Sequence, residues 1–210
     1  MGMKYHKGMY AVSLEPSWLN THESRCLRLY GCRVTVSEEP LKDAVCLGSV
    51  PYCRMLFGWP ACDPYPDWLP WGRRIFRAGD PGRAFYKPAD VPKRFESGVM
   101  ECPPTGKWVA SEIISFKEEH RAYVRDGKVV AVHPYEGTEN PVQEFPWKIP
   151  GGITAAIDFG TLMDGRILPV EVNDPYALGW YGSLADYRVY AEFVRAGWEY
   201  MLSPRHDPEN

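Results

Sequence analysis

Two apolar, β-prone runs in the last third of the chain predict a β-hairpin. Ile157–Met163 and Arg166–Val172 are separated only by Asp164-Gly165. Asp-Gly favours a two-residue turn because both of its residues tolerate a positive φ. Pairing would then begin with Met163 opposite Arg166, and side chains would alternate between the two faces of the hairpin.

The same kind of pattern predicts a second hairpin and two further strands. Glu118–Val124 and Lys128–His133 flank Asp126-Gly127, which again marks a two-residue turn. Ala84–Lys87 and Trp108–Ile114 are rich in apolar and aromatic residues and predict one strand each. The central part of the chain is therefore expected to be mainly β-structure.

A helical pattern follows the last hairpin. It runs from Ser183, a suitable N-cap, to about Leu202, and Pro204 ends it because proline cannot continue a helix. Its apolar stripe consists of Tyr187, Tyr190, Val194, Trp198 and Met201. This stripe predicts core packing rather than a cofactor site.

The first 80 residues and two later segments have weaker patterns. Strands are predicted over Met9–Leu14 and Cys32–Val36, with a short helix over Glu38–Val45. The proline-rich stretches Gly58–Trp71 and Pro134–Gly152 predict loops, because proline supplies no backbone N–H for a ladder or helix.

Composition adds little beyond a globular, water-facing protein. The 210 residues are 45% hydrophobic and 24% charged, with a formal net charge of −3, so no basic surface for nucleic acid or anionic membrane is indicated. No apolar run approaches the roughly 20 residues needed to span a bilayer. The start, MGMKYHKGMY, lacks the apolar core of a secretion signal. A cytoplasmic protein that binds neither nucleic acid nor membrane is expected.

The cysteines agree with that expectation. None of the six forms a C-x-x-C pair, and the five histidines do not fall at zinc-finger spacing. Reduced, partly buried thiols are expected in a cytoplasmic protein.

The predicted hairpin brings two acids together. If pairing starts at Met163 and Arg166, Asp158 lies directly opposite Glu171, and Asn173 points to the same side. Facing carboxylates repel, so one is protonated, water separates them, or a cation lies between them. Their hard oxygen ligands suit Mg²⁺ or Mn²⁺ rather than zinc. A solvated sheet face carrying two unrelated acids is the alternative.

Asp158, with Glu171 thirteen positions later and Asn173 two beyond that, lies within D-F-G…P-V-E-V-N-D. This segment resembles the metal-binding hairpin of the ATP-grasp superfamily, in which such residues hold the magnesium ions that bridge the ATP phosphates. The resemblance implies an α+β, two-lobed fold with antiparallel sheets. It places a small α/β pre-grasp region at residues 1–80 and the ATP-grasp domain at 81–210.

The resemblance also implies nucleotide-binding residues in the first lobe. Phe85-Tyr86-Lys87-Pro88 is similar to the segment whose lysine contacts the ATP phosphates, and Lys93 would share that role. The segment ending at Ile114 would be the hinge whose backbone reads adenine, and Glu112 would bind near the ribose. A solvated surface position is the alternative for each lysine, and an outward-facing strand position for Glu112.

In the second lobe, Glu119-x-Arg121 before Tyr123-Val124 is similar to an ATP-grasp pattern in which the arginine contacts phosphate or an acyl phosphate. Arg121 is therefore the candidate catalytic cation, and Glu119 a candidate cofactor-binding residue. A simple surface pair of these two residues is the alternative. The loop at 174–182 carries aromatic residues that would orient the acceptor.

The activity implied is that of an ATP- and Mg²⁺-dependent carboxylate–amine ligase that works through an acyl phosphate. Its partners would be ATP and carboxylate and amine substrates, with a peptide or protein among them. One position departs from the family, because Ala156 occupies the place where many members have an arginine. A non-catalytic nucleotide-binding protein and an ATP-dependent phosphotransferase remain alternatives.

Overall fold

The computed structural model describes residues 10–56, 63–89, 95–135 and 144–203. Within these ranges the chain forms eleven strands and three α-helices. In chain order they are β1 (Ala11–Leu14), α1 (His22–Tyr30), β2 (Arg33–Val36), β3 (Val45–Leu47), α2 (Val50–Arg54), β4 (Ile75–Phe76), β5 (Ala84–Pro88), β6 (Gly98–Met100), β7 (Trp108–Ser111), β8 (Glu118–Arg125), β9 (Lys128–Pro134), β10 (Ala155–Thr161), β11 (Ile167–Asn173) and α3 (Tyr187–Met201).

The N-terminal region is a small α/β unit. Its three strands form a parallel sheet in the order β2-β1-β3. Helix α3 from the far end of the chain packs on α1 and on this sheet. It buries Tyr190, Val194, Trp198 and Met201, whereas Tyr187 is half-buried. The apolar stripe predicted for the C-terminal helix is therefore confirmed as core.

Two sequence predictions in the N-terminal region need correction. Glu38–Val45 is not a helix: residues 37–44 form turns, and Val45 starts β3. All three residues of β3 are buried, so pairing with β1 outweighs the local helical tendency. Helix α1 was not expected, although Thr21 caps its first turn and Gly31 ends it at φ 90°.

Two antiparallel sheets make up the rest of the fold, which confirms the predicted α+β class. The first has the order β4-β7-β5-β6. The second has the order β11-β10-β8-β9. The strand predicted to reach Ile114 ends at Ser111. Residues 112–117 have no regular structure because the chain crosses here from one sheet to the other.

The β8–β9 hairpin has the predicted two-residue turn. Arg125 pairs with Lys128, and the two turn residues, Asp126 and Gly127, both have positive φ, of 50° and 73°. This is the backbone geometry that an Asp-Gly turn favours.

The β10–β11 hairpin reaches the predicted pairing by a different route. The turn has three residues rather than two, because Leu162 bonds to the carbonyl of Arg166. The pairing is restored by a bulge, since Asp158 pairs with Glu171 while Phe159 pairs with Pro169. Two one-residue differences therefore cancel, and Asp158 faces Glu171 as predicted.

The face of the second sheet that points away from these acids is apolar. Residues of the segments 65–71 and 145–153 cover it and form a second core cluster with Val124, Ile157 and Val172. Of the predicted loop at 134–152, residues 136–143 lie outside the described residues, and 144–152 are irregular, as expected.

One side chain on this apolar side is poorly satisfied. The His120 ring is fully buried and stacks on Phe159 at a centroid distance of 5.5 Å. Neither of its nitrogens has a hydrogen-bond partner among the described residues. Burying such polar atoms without partners costs roughly 1–3 kcal/mol.

We therefore expect His120→Leu to raise the free energy of unfolding by about 1–3 kcal/mol, because it removes the unpaired polar atoms at similar volume. Chemical denaturation would measure the change. His22→Leu is the matched control with the opposite sign, since the His22 Nε2 is 2.8 Å from the carbonyl oxygen of Gly182. A less stable His120→Leu protein would contradict the expectation.

No described helix is both long enough and apolar enough to cross a membrane. The described cysteines Cys26, Cys32, Cys46 and Cys53 are buried free thiols, and Cys102 is an exposed one. The division into residues 1–80 and 81–210 stays a prediction.

Candidate functional site

A cavity of about 430 Å³ lies where the two antiparallel sheets meet. Strand β5 and the crossing segment 112–116 supply one wall, and β8 and β11 supply the other. The lining residues include Arg73, Lys87, Glu112, Ile114, Glu119 and Glu171. Sequence reasoning named five of these six, and the fold brings them together from both sheets.

The three residues predicted to hold metal lie together on one face of the β10–β11 hairpin. Asp158 is directly paired with Glu171, and Asn173 Nδ2 donates a hydrogen bond of 3.0 Å to Asp158 Oδ2. Because Nδ2 is engaged, the amide oxygen of Asn173 remains available as a hard ligand. The predicted set therefore offers oxygen atoms from two carboxylates and one amide.

Arg121 is bound to one of these acids. Its Nε and Nη2 donate to the two oxygens of Asp158 at 2.7 and 2.8 Å. Arg121 is 5% exposed and Asp158 is 1% exposed, so water cannot replace either partner. Sequence reasoning placed Arg121 near phosphate and did not anticipate this bidentate pair.

Burial alone would disfavour both charges of this pair. Burial raises the pKa of Asp158, and the Arg121 guanidinium opposes that rise. Burial lowers the pKa of Arg121, but the hydrogen bonds and charge of Asp158 raise it well above its usual value. Since an arginine does not lose its proton in proteins, the pair is ionised.

Lys87 joins the two sheets at the same place. It extends from β5, and its Nζ forms an ion pair with Glu171 Oε2 on β11. Both side chains are largely buried, with 14% and 21% exposed. The predicted phosphate-binding lysine and the predicted metal-binding glutamate are therefore in direct contact.

Glu119 gives information about the local potential. Its pKa is raised, first by burial and then by the charges of Asp158 and Glu171, while Lys87 opposes this with a smaller effect. The carboxylates thus outweigh the lysine at this position, and an added cation would be attracted. The oxygen donors and the negative potential fit Mg²⁺ or Mn²⁺.

Among the described residues, no group of three or more His, Cys, Asp or Glu side chains has an arrangement that could hold a metal ion. The predicted set contains only two carboxylates, and its third member is an amide. Lys93, the second predicted phosphate-binding lysine, lies outside the described residues.

The hinge residues line the cavity, but Glu112 has a protein partner. Its carboxylate accepts bonds from the Arg74 backbone N–H at 3.1 Å and from Arg74 Nε at 2.6 Å. These bonds, the backbone one first, lower the pKa of Glu112. Ile114 lines the same cavity and lies in the irregular segment, where its backbone is not part of a strand.

Sequence reasoning missed two tyrosines that pack on Arg121. The guanidinium carbon lies 5.2 Å from the ring centre of Tyr135 and 5.0 Å from that of Tyr181. The Tyr135 pKa is raised by burial and then by a hydrogen bond with Tyr181, so the two rings are also linked to each other. The only signal for Tyr135 was its place just after β9, next to the strand that carries Arg121.

Side chains from distant elements fix the loop that carries Tyr181. Glu23 accepts a 2.7 Å bond from the Trp180 backbone N–H, and the Tyr123 hydroxyl donates to the Gly179 carbonyl at 2.6 Å. At the start of this loop, Arg54 forms a 3.2 Å ion pair with Asp174. The loop is thus held by the N-terminal region and by β8, rather than free to orient an acceptor by itself.

Three comparisons with known proteins bear on this geometry. A family model that describes an ATP-grasp domain, the second family of one clade of such domains, matches residues 80–191. No curated protein matches the chain.

Several solved structures are similar at low identity. N5-carboxyaminoimidazole ribonucleotide synthetase from Thermotoga maritima is 13% identical, with 90% of this chain and 76% of that one covered, at a TM-score of 0.44. The synthetase from Staphylococcus aureus complexed with ADP is 10% identical, with coverages of 90% and 77% and a TM-score of 0.45. The ATP-grasp ligase PsnB, complexed with a minimal precursor, is 10% identical, with coverages of 93% and 100% and a TM-score of 0.46.

The family model spans more than half of the chain and includes both hairpins and β5. The chain therefore belongs to the ATP-grasp family.

Proposed function

We propose that this protein is an ATP- and Mg²⁺-dependent ligase that joins a carboxylate to an amine through an acyl phosphate. The observation that carries the proposal is the meeting of Lys87 and Glu171 in a cavity between the two sheets. One is the predicted phosphate contact and the other a predicted metal ligand. ATP would occupy this cavity, with its phosphates toward the β10–β11 hairpin.

The residues divide into three roles. Ile114 and the backbone beside it would read adenine, and Glu112 would bind near the ribose after exchanging its bond to Arg74. Lys87 would leave Glu171 and bind phosphate as a compact point charge. Lys93 is proposed for the same role, and Glu119 would face the phosphate end of the site.

Asp158, Glu171 and Asn173 would hold Mg²⁺ through their oxygen atoms. Bound there, the ion would neutralise charge on the ATP phosphates. The residues themselves supply oriented oxygen donors, and burial of Asp158 keeps water from competing for them.

Arg121 is the proposed catalytic cation. A guanidinium has five N–H donors, and Asp158 takes two of them, so three remain for phosphate or acyl-phosphate oxygens. Its position beside Asp158 would also compensate for Ala156, which is fully buried and carries no charge. Preorganised donors of this kind stabilise developing charge without rearrangement.

The experiment that tests the proposal combines binding and turnover. Thermal unfolding with ATP and Mg²⁺ together should show a larger stabilisation than with either alone, of about 2.7 kcal/mol when free ATP is 100 times its dissociation constant. ADP release would then be screened against mixtures of carboxylates and amines, including peptides, with the amide product identified by mass spectrometry.

Each other outcome has a distinct meaning. Stabilisation without ADP release under any acceptor would indicate a non-catalytic nucleotide-binding protein. ADP with a phosphorylated product and no amide would indicate a phosphotransferase. No stabilisation by any nucleotide would refute ATP binding, and with it the ligase proposal.

A further inference from the structure

We infer that Arg73 is a positioning residue that holds Glu171 opposite Asp158. The inference rests on the proposed function, because Glu171 and Asp158 matter here as metal ligands. Arg73 lies before β4, outside the segment matched by the family model, and it lines the same cavity. Sequence reasoning assigned it no role.

The first step concerns register. From the three-residue turn onward, Thr161 pairs with Ile167, Gly160 with Leu168 and Phe159 with Pro169. If that register continued, Asp158 would face Val170. Because side chains alternate along a strand, Glu171 would then point to the opposite face, away from Asp158.

The second step is the bulge that prevents this. Val170 is the extra residue on β11, and beyond it Glu171 pairs with Asp158 and Val172 with Ile157. A bulge leaves backbone groups without ladder partners and bends the strand, so it needs support from outside the pair. Bulges next to functional sites commonly re-aim a side chain.

The third step identifies that support. Arg73 donates from Nη1 to the Pro169 carbonyl and from Nη2 to the Val170 carbonyl, the latter at 2.8 Å. Its guanidinium carbon also lies 5.6 Å from the ring centre of Tyr65 and 5.4 Å from that of Trp71. The two aromatic rings fix the guanidinium in place, and its fork geometry matches two successive carbonyls. A lysine has no such fork.

The geometry thus assigns Arg73 to the backbone of the metal hairpin rather than to a carboxylate. Removing it would free the two carbonyls of the bulge and let β11 shift toward the regular register. The expected loss is therefore specific: the hairpin still folds, but Glu171 no longer lies reliably beside Asp158.

The test compares binding of a non-hydrolysable ATP analogue with Mg²⁺ and with EDTA by calorimetry. For the wild type, Mg²⁺ should tighten binding. For Arg73→Met, we expect this tightening to fall at least tenfold, which is within the range of about 10–100-fold seen when residues that support metal ligands are lost. Affinity in EDTA should stay within about threefold. Arg73→Lys should lose most of the tightening as well.

The matched control is Arg166→Met, an exposed arginine at the tip of the same hairpin that pairs with Asp164 at 2.8 Å. It should keep the full effect of Mg²⁺. Hydrogen exchange gives a second readout that does not need ligand, since β11 amides near Glu171 should exchange faster in Arg73→Met while those of β8 and β9 do not.

Three results would overturn the inference. One is an unchanged Mg²⁺ effect in Arg73→Met. Another is an equal loss with and without Mg²⁺, which would make Arg73 a nucleotide contact. The third is unchanged exchange along β11. If wild-type protein shows no Mg²⁺-dependent tightening at all, the proposed function fails first, and Arg73 loses the role inferred from it.

Discussion

Replacing Arg121 with Met is expected to lower the free energy of unfolding by about 3–5 kcal/mol. The reason is that the variant leaves Asp158 as a buried carboxylate without its bidentate partner, and removal of one member of a buried pair has effects of about this size. Chemical denaturation at pH 7 measures the change.

The same strand offers a control. Arg125 pairs with Glu192 at 2.6 Å, but each side chain is 39% exposed. Water can therefore solvate whichever partner remains, and Arg125→Met should lower the free energy of unfolding by no more than about 1 kcal/mol. Equal effects of the two substitutions would contradict the buried ion pair at Arg121.

The double variant Arg121→Met/Asp158→Leu separates stability from function. Replacing both charges with apolar groups of similar size is often neutral for stability, so much of the loss should be recovered. Under the proposed function, ATP turnover should not recover, because both the cation and a metal ligand are gone. Recovery of turnover would show that the pair is only structural.

The sequence predicted the β10–β11 pairing correctly, but for an incomplete reason. It indicated a two-residue turn at Asp164-Gly165, whereas the turn has three residues and Gly165 has a φ of 84°. The compensating bulge depends on Arg73, which is 97 positions from Val170 along the chain. A contact at that separation leaves no trace in the local hydrophobic pattern, so local reasoning could not include it.

Charged residues were predicted less completely than strands. Lys87, Arg121 and Glu112 lie at the cavity or the acidic hairpin, as the resemblance implied, yet each has a protein partner that the sequence did not reveal. Strand pattern determines which face a side chain points to, but the partner depends on how two sheets approach each other. That approach is a tertiary property.

The N-terminal region was the hardest to predict. Helix α1 buries only Ser24, Cys26 and Leu27, so its apolar stripe is too narrow to stand out. Its caps, Thr21 and Gly31, were the available signal. The opposite error occurred at Glu38–Val45, where sheet pairing prevailed over a helical tendency.

The Lys87–Glu171 pair leads to the second large expected effect. Under the proposed function, Glu171→Gln keeps the size of the side chain but removes a metal-ligand charge, and we expect ADP formation at saturating ATP to fall at least about 100-fold. A loss of this size corresponds to about 2.7 kcal/mol, comparable to removing one preorganised group that stabilises charge in a dry active site. Glu101→Gln, on an exposed glutamate, is the control.

Lys87→Met should instead weaken ATP binding, and by more than the loss of one contact. It removes a phosphate-binding cation and also leaves Glu171 unneutralised beside the phosphates. We expect a rise of about 10–100-fold in the ATP dissociation constant measured in EDTA, because hydrogen bonds to charged groups contribute about 1.5–3 kcal/mol. Lys128→Met, on an exposed lysine of β9, should bind ATP normally.

The double variant Lys87→Met/Glu171→Gln gives the sign that tests the charge argument. With the glutamate neutral, phosphate no longer meets an unpaired carboxylate, so ATP in EDTA should bind more tightly to the double variant than to Lys87→Met alone. With Mg²⁺ the order should reverse, because only Lys87→Met retains the full set of metal ligands. If the two variants bind ATP equally in both conditions, Lys87 and Glu171 are not part of one phosphate and metal site. The ion pair would then serve only to join the sheets.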